Sequence, residues 1–307
     1  MVVPNWNGCE LLRECLDSVH AQTYAPIEPI LVDDGSTDES AGLVASEYPK
    51  VRLVRLAKNR GFASAANAGM RAATGDILAL LNNDAIAEPD WVAELVAALR
   101  RHPEAGSAAS KILLQGSSGQ IHSAGDVFRR DGTPDSRGVW EIDDGQYDDE
   151  APVFGGCGGA VAYRRELIES VGGFDERFFM YCEDVDLAFR AQMSGFTCIY
   201  APRAVVRHRL GASAAGAMSA YLCGRNFVWL LARDVSGASW RRQWPAFAVA
   251  QLRIAADALR HARQPSARAR LRGQIAGLMS AFGLIQDRRA LGSRRRVPES
   301  YLDDLLT

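Results

Sequence analysis

The stretch ILVDDGSTDES, residues 30–40, decides the fold class. Its three aliphatic residues favour a buried strand, and the carboxylates, glycine and serine that follow are typical of a turn leading into a helix. Ligands of open parallel sheets bind beyond the carboxyl ends of the strands. Asp33 and Asp34 are therefore candidates to accept hydrogen bonds from a nucleobase or a ribose. The alternative is a plain turn in which Ser36 caps the next helix.

Helical and strand-like segments alternate on both sides of this stretch. The first helical segment places Leu12, Leu16 and Val19 on one stripe, which is the 3.6-residue period of a helix that packs on a sheet. This alternation predicts an α/β fold with a doubly wound, mostly parallel sheet. We expect strands at residues 1–3, 30–32, 51–56 and 77–81, and helices at residues 10–22, 37–47 and 62–73.

The second half of the chain lacks the regular alternation of strands and helices. Residues 106–150 are rich in Gly, Ser and Asp, which predicts a loop with irregular strands that covers a site. Two more strands are expected at residues 196–200 and 205–208, and Arg-rich helices follow. We expect an α/β domain over residues 1–218 and an Arg-rich helical C-terminal extension over residues 219–307.

Composition narrows the class of protein. The chain has 307 residues, of which 48% are hydrophobic, so it can bury a full core. Six scattered cysteines form no CxxC pair, which favours a reducing, cytoplasmic setting over a zinc or disulfide scaffold. The sequence contains neither a signal-peptide pattern nor an apolar run of roughly 18 residues. We therefore expect a cytoplasmic protein.

Charge is distributed unevenly along the chain. Residues 231–307 hold 14 Arg against 6 Asp and Glu, a formal +8, and the total of −2 leaves −10 for residues 1–230. An acidic body opposes a polyanion and no recognition module is visible, so nucleic acid is not expected as a partner.

The stretch GGFDERFFMYCEDVDLAFRAQMSG, residues 172–195, places Glu183, Asp184 and Asp186 behind an aromatic run. Carboxylates that crowd together repel one another, and partial burial raises their pKa values. Such a cluster suits a general base in a proton transfer. The alternative is the ordinary enrichment of acids in the first turn of a helix.

Two further patterns suggest a metal and a close approach of the backbone. Asp84 follows the strand at residues 77–81, and one carboxylate plus a donor diphosphate can hold a divalent cation. His208 follows another strand, as a metal ligand or as a structural histidine. The GGCGGA loop, residues 155–160, lacks the spacing of either phosphate-binding glycine motif. Its glycines, Gly156, Gly158 and Gly159, suit close approach to a sugar or an acceptor.

Taken together, the ordered motifs resemble glycosyltransferase family 2, in particular its rhamnosyltransferase-like members. The matching motifs are PNWNG (4–8), VDDGSTDES (32–40), NRGFASAANAGM (59–70), LLNNDA (80–85), GGCGGA (155–160) and GGFDERFFMYCEDVDLAFR (172–190). The resemblance covers about residues 1–230. It implies a GT-A fold and inverting transfer from a nucleotide sugar, with Mg²⁺ or Mn²⁺ as cofactor.

The resemblance also implies roles for single residues. Asp184 takes the position of the base and Asp84 that of the last Asp of the DxD metal motif. Beside these, we expect Glu183 as the alternate base and His208 as a second metal ligand. Asn82 replaces the first Asp of that motif. The residues expected to bind the nucleotide are Pro4, Asn5, Asp33, Asp34, Asn59, Gly61, Asn67 and Asn83. Arg225, in CGRNFVW, is expected to touch the diphosphate or to act as a structural helix residue.

We expect an inverting glycosyltransferase that moves a sugar from a dTDP- or UDP-sugar to a glycan or polyprenyl-linked acceptor. L-Rhamnose is the first choice for that sugar. The alternatives are an inactive nucleotide-sugar-binding module and a sugar nucleotidyltransferase. Free nucleoside diphosphate during turnover separates transfer from nucleotidyl transfer, which releases pyrophosphate.

The Arg-rich extension carries a separate prediction. Arg241 and Arg242 lie between Trp240 and Trp244, and aromatic and basic side chains favour an anionic bilayer interface. We expect peripheral binding at the inner face of the membrane. The alternatives are a packed helical appendage with solvated arginines and an oligomer contact.

Overall fold

The structure is a computed structural model that describes residues 1–209 and 216–307. The strands are β1 Val2–Asn5, β2 Ile30–Asp33, β3 Arg52–Arg55, β4 Ile77–Leu81, β5 Ala85–Ala87, β6 Ala105–Leu114, β7 Ile121–Ser123, β8 Asp126–Phe128, β9 Pro134–Ser136, β10 Ala151–Val153, β11 Ala160–Arg164 and β12 Thr197–His208. The helices are α1 Cys9–His20, α2 Ser40–Glu47, α3 Phe62–Ala72, α4 Trp91–Arg101, α5 Arg165–Val171, α6 Glu183–Met193, α7 Ala217–Arg233, α8 Gly237–Arg260, α9 Pro265–Ser293 and α10 Glu299–Asp304, with a short 3-10 helix at Glu176–Phe178.

The central sheet is mixed but mostly parallel, as expected. Its strand order is β10-β12-β6-β11-β4-β1-β2-β3, with β5 on β12 and β7 on β6. Strands β1, β2, β3, β4, β6 and β12 run in one direction, and β11 runs antiparallel between β4 and β6. Asn5 pairs with Asp33 at the carboxyl ends of β1 and β2. Polar residues that follow different strands therefore meet at one edge of the sheet.

Helices cover both faces of the sheet. One face buries apolar side chains from α1, α2 and α4, and the other buries side chains from α3, α5 and α6. Such coverage on both faces is the reason that the central strands β2 and β4 begin with continuous apolar runs instead of alternating. The α/β, doubly wound architecture is thus confirmed.

The segment at residues 106–150 differs from the expected loop. It contains β6, a strand of 10 residues inside the sheet that is buried along nearly its whole length. The two strands expected at residues 196–200 and 205–208 are halves of β12, joined across an irregularity between Ala201 and Val205. Helix α2 begins at Ser40, and Ser36 does not cap it; its hydroxyl accepts the N–H of Asn7 at 2.9 Å.

The C-terminal helices pack on the α/β body. A third apolar cluster joins α6 to α7, α8 and α10 through side chains such as Phe189, Leu230, Phe247 and Leu302. Helices α7 and α9 lie with their backbones in contact, because a Cβ on Gly273 would come within 2.0 Å of a backbone oxygen of α7. In residues 1–209 and 216–307, no helix combines the length and apolar content of a membrane span.

Candidate active site

The main cavity lies at the carboxyl edge of the sheet and has a volume of about 350 Å³. It collects most of the residues that the sequence indicates. Those lining it are Pro4, Asn5, Asp34, Asn59, Gly61, Asn83, Asp84, Gly158, Gly159, Glu183, Asp184 and His208. Residues from six separate sequence motifs therefore form one site.

One wall is built by β1, β2 and the start of α3. Asp34 accepts the N–H groups of Arg60 at 2.9 Å and Gly61 at 2.8 Å. Burial raises the pKa of Asp34, and the two backbone hydrogen bonds oppose that rise. Gly61 has φ +88° and a Cβ there would approach Phe179 O to 2.4 Å, so this turn requires glycine. Asn5 accepts a hydrogen bond from the Asn83 amide at 2.6 Å.

The opposite wall carries the two carboxylates at the start of α6. The Gly158 N–H donates to Asp184 Oδ2 and the Val185 N–H to Oδ1, both at 2.9 Å. These donors fix the carboxylate plane and favour its charged form, while burial, the larger effect, raises the pKa of Asp184. The GGCGGA loop thus orients the candidate base with its backbone.

Glu183 lies deeper than its neighbour. It is only 4% exposed, and its Oε2 is buried with no hydrogen-bond partner among the described residues. Burial and then the charge of Asp184 raise the pKa of Glu183 well above its usual value. Asp184, in contrast, has both oxygens oriented by backbone N–H groups, so the geometry favours Asp184 as the candidate base.

The segment that precedes α6 is conformationally strained. Phe179, Tyr181 and Cys182 each adopt φ +68°, in the left-handed region. For residues with bulky side chains this conformation costs about 1–3 kcal/mol each, and it persists only where surrounding contacts enforce it. We call residues 178–182 the pre-base loop, because it leads directly into Glu183 and Asp184.

Helix α7 supplies the contacts that enforce this conformation. The Asn226 amide donates to the carbonyl oxygens of Phe178, Met180 and Tyr181 at 3.2, 3.0 and 2.7 Å. Arg225 donates to Phe178 O at 2.8 Å. Asn226 was not identified from the sequence, although it follows Arg225 directly. In this structure Arg225 holds the loop and does not line the cavity.

Asp84 and His208 meet because β12 pairs with β5, which puts His208 opposite Ala85. His208 Nε2 lies 2.9 Å from Asp84 Oδ1. His122, which the sequence did not indicate, stacks on His208 with ring centroids 5.1 Å apart. Burial, and then His208, lower the pKa of His122 to about 4, so this imidazole is neutral.

These donors fit a cation that is held jointly with a ligand. Carboxylate oxygen suits Mg²⁺ and Mn²⁺, and imidazole is a common metal ligand in proteins. In the described part of the chain, no group of three or more His, Cys, Asp or Glu side chains is arranged to hold a metal ion by itself. A diphosphate and water would have to complete the coordination, as is usual for Mg²⁺.

Three other indicated residues lie outside the cavity. Asp33 accepts the Ser36 N–H at 3.2 Å and forms an ion pair with Arg55 at 3.4 Å. Asn67 donates to Phe174 O and accepts the Phe174 N–H, both at 2.9 Å, so it holds a loop. Gly156 packs within the fold, where a Cβ would meet another side chain at 2.7 Å.

The sequence did not indicate two further residues near the site, Asp126 and Trp6. Asp126 is buried, and burial followed by the charge of Asp184 raises its pKa well above the usual value. Its N–H donates to Gly155 O at 2.9 Å, just before the loop that orients Asp184. Trp6 lines the cavity and is 46% exposed. The tryptophan between two asparagines in the PNWNG motif was the available signal for it.

Comparison with known proteins bears on this site. Residues 1–172 match the family model described as Glycosyl transferase family 2. The chain is similar to the O-antigen biosynthesis protein RfbC of Myxococcus xanthus, with 31% identity over 69% of this chain and 17% of that protein. It is also similar to an N-acetylglucosaminyl-diphospho-decaprenol L-rhamnosyltransferase of Mycobacterium tuberculosis, with 28% identity over 75% of this chain and 82% of that protein.

Solved structures share the fold. The mannosyltransferase PcManGT from Pyrobaculum calidifontis, in complex with GDP-Man and Mn²⁺, is 21% identical with a TM-score of 0.56 over 98% of this chain and 84% of that one. GalNAc-T7 with UDP, GalNAc and Mn²⁺ is 19% identical with a TM-score of 0.60 over 76% of this chain and 47% of that one. These likenesses confirm the GT-A fold.

Proposed function

The chain belongs to glycosyltransferase family 2, and from this premise we propose that it transfers L-rhamnose from a dTDP-sugar, with inversion, to a hydroxyl of a glycan or polyprenyl-linked acceptor. The choice of sugar and acceptor is supported by the similarity to a decaprenol-linked L-rhamnosyltransferase. The observation that carries the mechanism is the position of Asp184, which faces the cavity with both oxygens oriented by backbone N–H groups.

In this proposal the donor binds across the carboxyl ends of β1, β2 and β4. Asp34 and Asn5 receive the nucleoside, and Trp6 offers an aromatic surface beside them. Asn59 and Gly61 border the space where the diphosphate would lie. The donor's anomeric carbon then points toward the start of α6.

The acceptor hydroxyl approaches from the side of Asp184. Its oxygen forms a bond to the anomeric carbon while the bond from that carbon to the diphosphate oxygen breaks. Asp184 takes the hydroxyl proton, and the nucleoside diphosphate leaves with the electron pair. General-base assistance of this kind contributes roughly 10²- to 10⁴-fold.

Asp84 and His208 are the residues that would hold a divalent cation, Mg²⁺ or Mn²⁺. The likeness to GT-A proteins solved with Mn²⁺ supports this proposal. When bound, such a cation neutralises negative charge on the departing diphosphate. The paired geometry of β5 and β12 presents both donors to one point of the cavity wall.

The test is a donor screen that measures release of nucleoside diphosphate from dTDP-L-rhamnose and from UDP-sugars. Each donor is paired with a polyprenyl-diphosphate sugar and with a free glycan. We expect acceptor-dependent release from dTDP-L-rhamnose that Asp184→Asn removes and Asp149→Asn, at an exposed loop position, preserves. Release from another donor alone would contradict the choice of sugar, and pyrophosphate as product would contradict glycosyl transfer.

A further inference from the structure

The two longest helices present an apolar surface to solvent. On α8 and α9 the exposed side chains recur at intervals of three, four and seven residues, which places them on one stripe of each helix. Met279 is 79% exposed and Phe282 is 82% exposed. The remaining members are Val249, Leu252, Leu259, Ile275, Leu278 and Ile285. We call this surface the α8–α9 face.

This face points away from the rest of the protein. Helix α9 buries Gly273, Gly277 and Leu284 against its neighbours, and these residues lie on the side of the helix opposite Met279 and Phe282. The apolar stripe is therefore not required for packing. Exposed apolar stripes of this kind mark interaction sites.

Arginines border the face. Residues 237–293 contain ten Arg and two Asp, a formal +8. Arg253 follows Val249 by four residues, and Arg272 precedes Met279 by seven, so both lie beside the apolar stripe of their helix. Both side chains are exposed. The face thus combines apolar side chains with a positive rim.

We infer that the α8–α9 face docks the protein on an anionic lipid surface, with the helices lying in the interface plane. Apolar side chains of such a helix enter the boundary between headgroups and acyl chains, while basic residues contact anionic headgroups. A second copy with the same face would bring two positive rims together. The phosphates of a nucleic acid would pair with the arginines but would leave Met279 and Phe282 exposed to water. A lipid surface accommodates both features.

The experiment uses full-length protein and vesicles of phosphatidylcholine, alone or with about 30% phosphatidylglycerol, at about 50 mM and about 500 mM NaCl. We expect co-sedimentation with the anionic vesicles at low salt and much less at high salt or with neutral vesicles. Point variants are preferable to truncation, because α10 contributes Leu302 to the core. No donor or acceptor is needed, so the result is independent of the proposed reaction.

Two variants test the two halves of the inference. Leu252→Ser/Met279→Ser/Phe282→Ser removes apolar side chains at exposed positions, and Arg253→Glu/Arg272→Glu reverses charge at the rim. Each should weaken vesicle partitioning by roughly tenfold or more. The matched controls are Trp140→Ser/Ile142→Ser, exposed in the α/β body, and Lys50→Glu. The controls should bind like wild type.

Three outcomes would overturn the inference. Folded wild-type protein could fail to sediment with anionic vesicles at low salt. The triple serine variant could sediment as well as wild type. Ultracentrifugation without lipid could show a dimer that the triple variant abolishes, with no vesicle binding, which would make a second copy the occupant of the face.

Discussion

Asn226 offers the sharpest test of how the base is positioned. Its side chain is completely buried. Its amide group donates hydrogen bonds to three backbone carbonyls of the pre-base loop, those of Phe178, Met180 and Tyr181. The amide has two N–H donors, so Asn226→Ala removes the equivalent of about two hydrogen bonds at about 0.5–1.5 kcal/mol each, and the loss of these donors from a buried setting adds a further cost. We expect a loss of about 2–4 kcal/mol in the free energy of unfolding.

The effect on catalysis should exceed the effect on binding. Without the amide, the strain at three left-handed residues is free to relax, and Asp184 follows Cys182 by two positions. A displacement of about 1 Å at a reacting group can cost about 10²-fold in rate. We expect the single-turnover transfer rate to fall by about that factor and donor affinity to change less, because Asp34 and Asn5 belong to the opposite wall of the cavity.

Two further variants separate positioning from stability. Asn226→Asp keeps the shape but loses both donors, so it should resemble Asn226→Ala. Ser280→Ala removes a hydrogen bond of 2.8 Å from Trp229 that links α7 to α9 and leaves the hydrogen bonds from Asn226 and Arg225 to the loop in place, so it should lower mainly the melting temperature. If Asn226→Ala and Asn226→Asp melt earlier yet transfer at the wild-type single-turnover rate, the positioning argument is refuted.

The remaining predictions concern carboxylates. Asp184→Asn should keep donor binding and lower single-turnover transfer at least roughly 10²-fold, whereas Glu183→Gln should retain most activity; the reverse pattern would make Glu183 the base. Because burial raises the pKa of Asp184, the acid limb of the wild-type pH–rate profile should lie above the usual carboxyl range, and a limb at the usual Asp value would contradict this. Asp84→Ala should weaken donor binding measured by calorimetry with Mn²⁺ more than with EDTA; equal losses would remove Asp84 from the metal shell. Asp234 is buried, and burial followed by the charge of Asp186 raises its pKa well above the usual value. The Asp234 carboxyl therefore ionises at a lower pH in the unfolded state than in the folded state. Its contribution to stability is lost as the pH rises from the pKa of the unfolded state to that of the folded state. Asp234→Asn should therefore raise the melting temperature more at about pH 8 than at about pH 4, and an equal change at both would argue against a neutral Asp234.

Local patterns were sufficient for the first half of the fold. The expected strands and helices at residues 1–81 agree with the structure to within a few residues, because each pairs an apolar run with turn chemistry at its end. Strand β6 was missed because its sequence AGSAASKILL has small residues of low strand propensity. Its burial on both sides also removes the alternation that marks a half-exposed strand.

The candidate site was predictable where its residues follow strands. Asp34 and Asp84 end up in the cavity because parallel strands bring their carboxyl ends to one edge. The sequence predicted that Asn67 binds the nucleotide, but its hydrogen-bond partner Phe174 lies 107 residues away in the chain. No local sequence pattern indicates such a contact. The same holds for Asn226 and His122, whose roles depend on which elements pack against them.

The contact between α7 and α9 has a consequence for engineering. A Cβ at Gly224 or Gly273 would lie 2.4 or 2.0 Å from a backbone oxygen of the facing helix. Neither helix can therefore be exchanged alone for a helix that lacks its glycine at this contact. Helix α7 in turn carries Asn226, which shapes the loop ahead of Asp184. A chimera spliced between residues 218 and 219 would pair a foreign α7 with this loop and lose activity. The smallest unit that can be exchanged between relatives therefore includes α10 as well as α7 to α9, because Leu302 belongs to the same apolar cluster as α6 and α7.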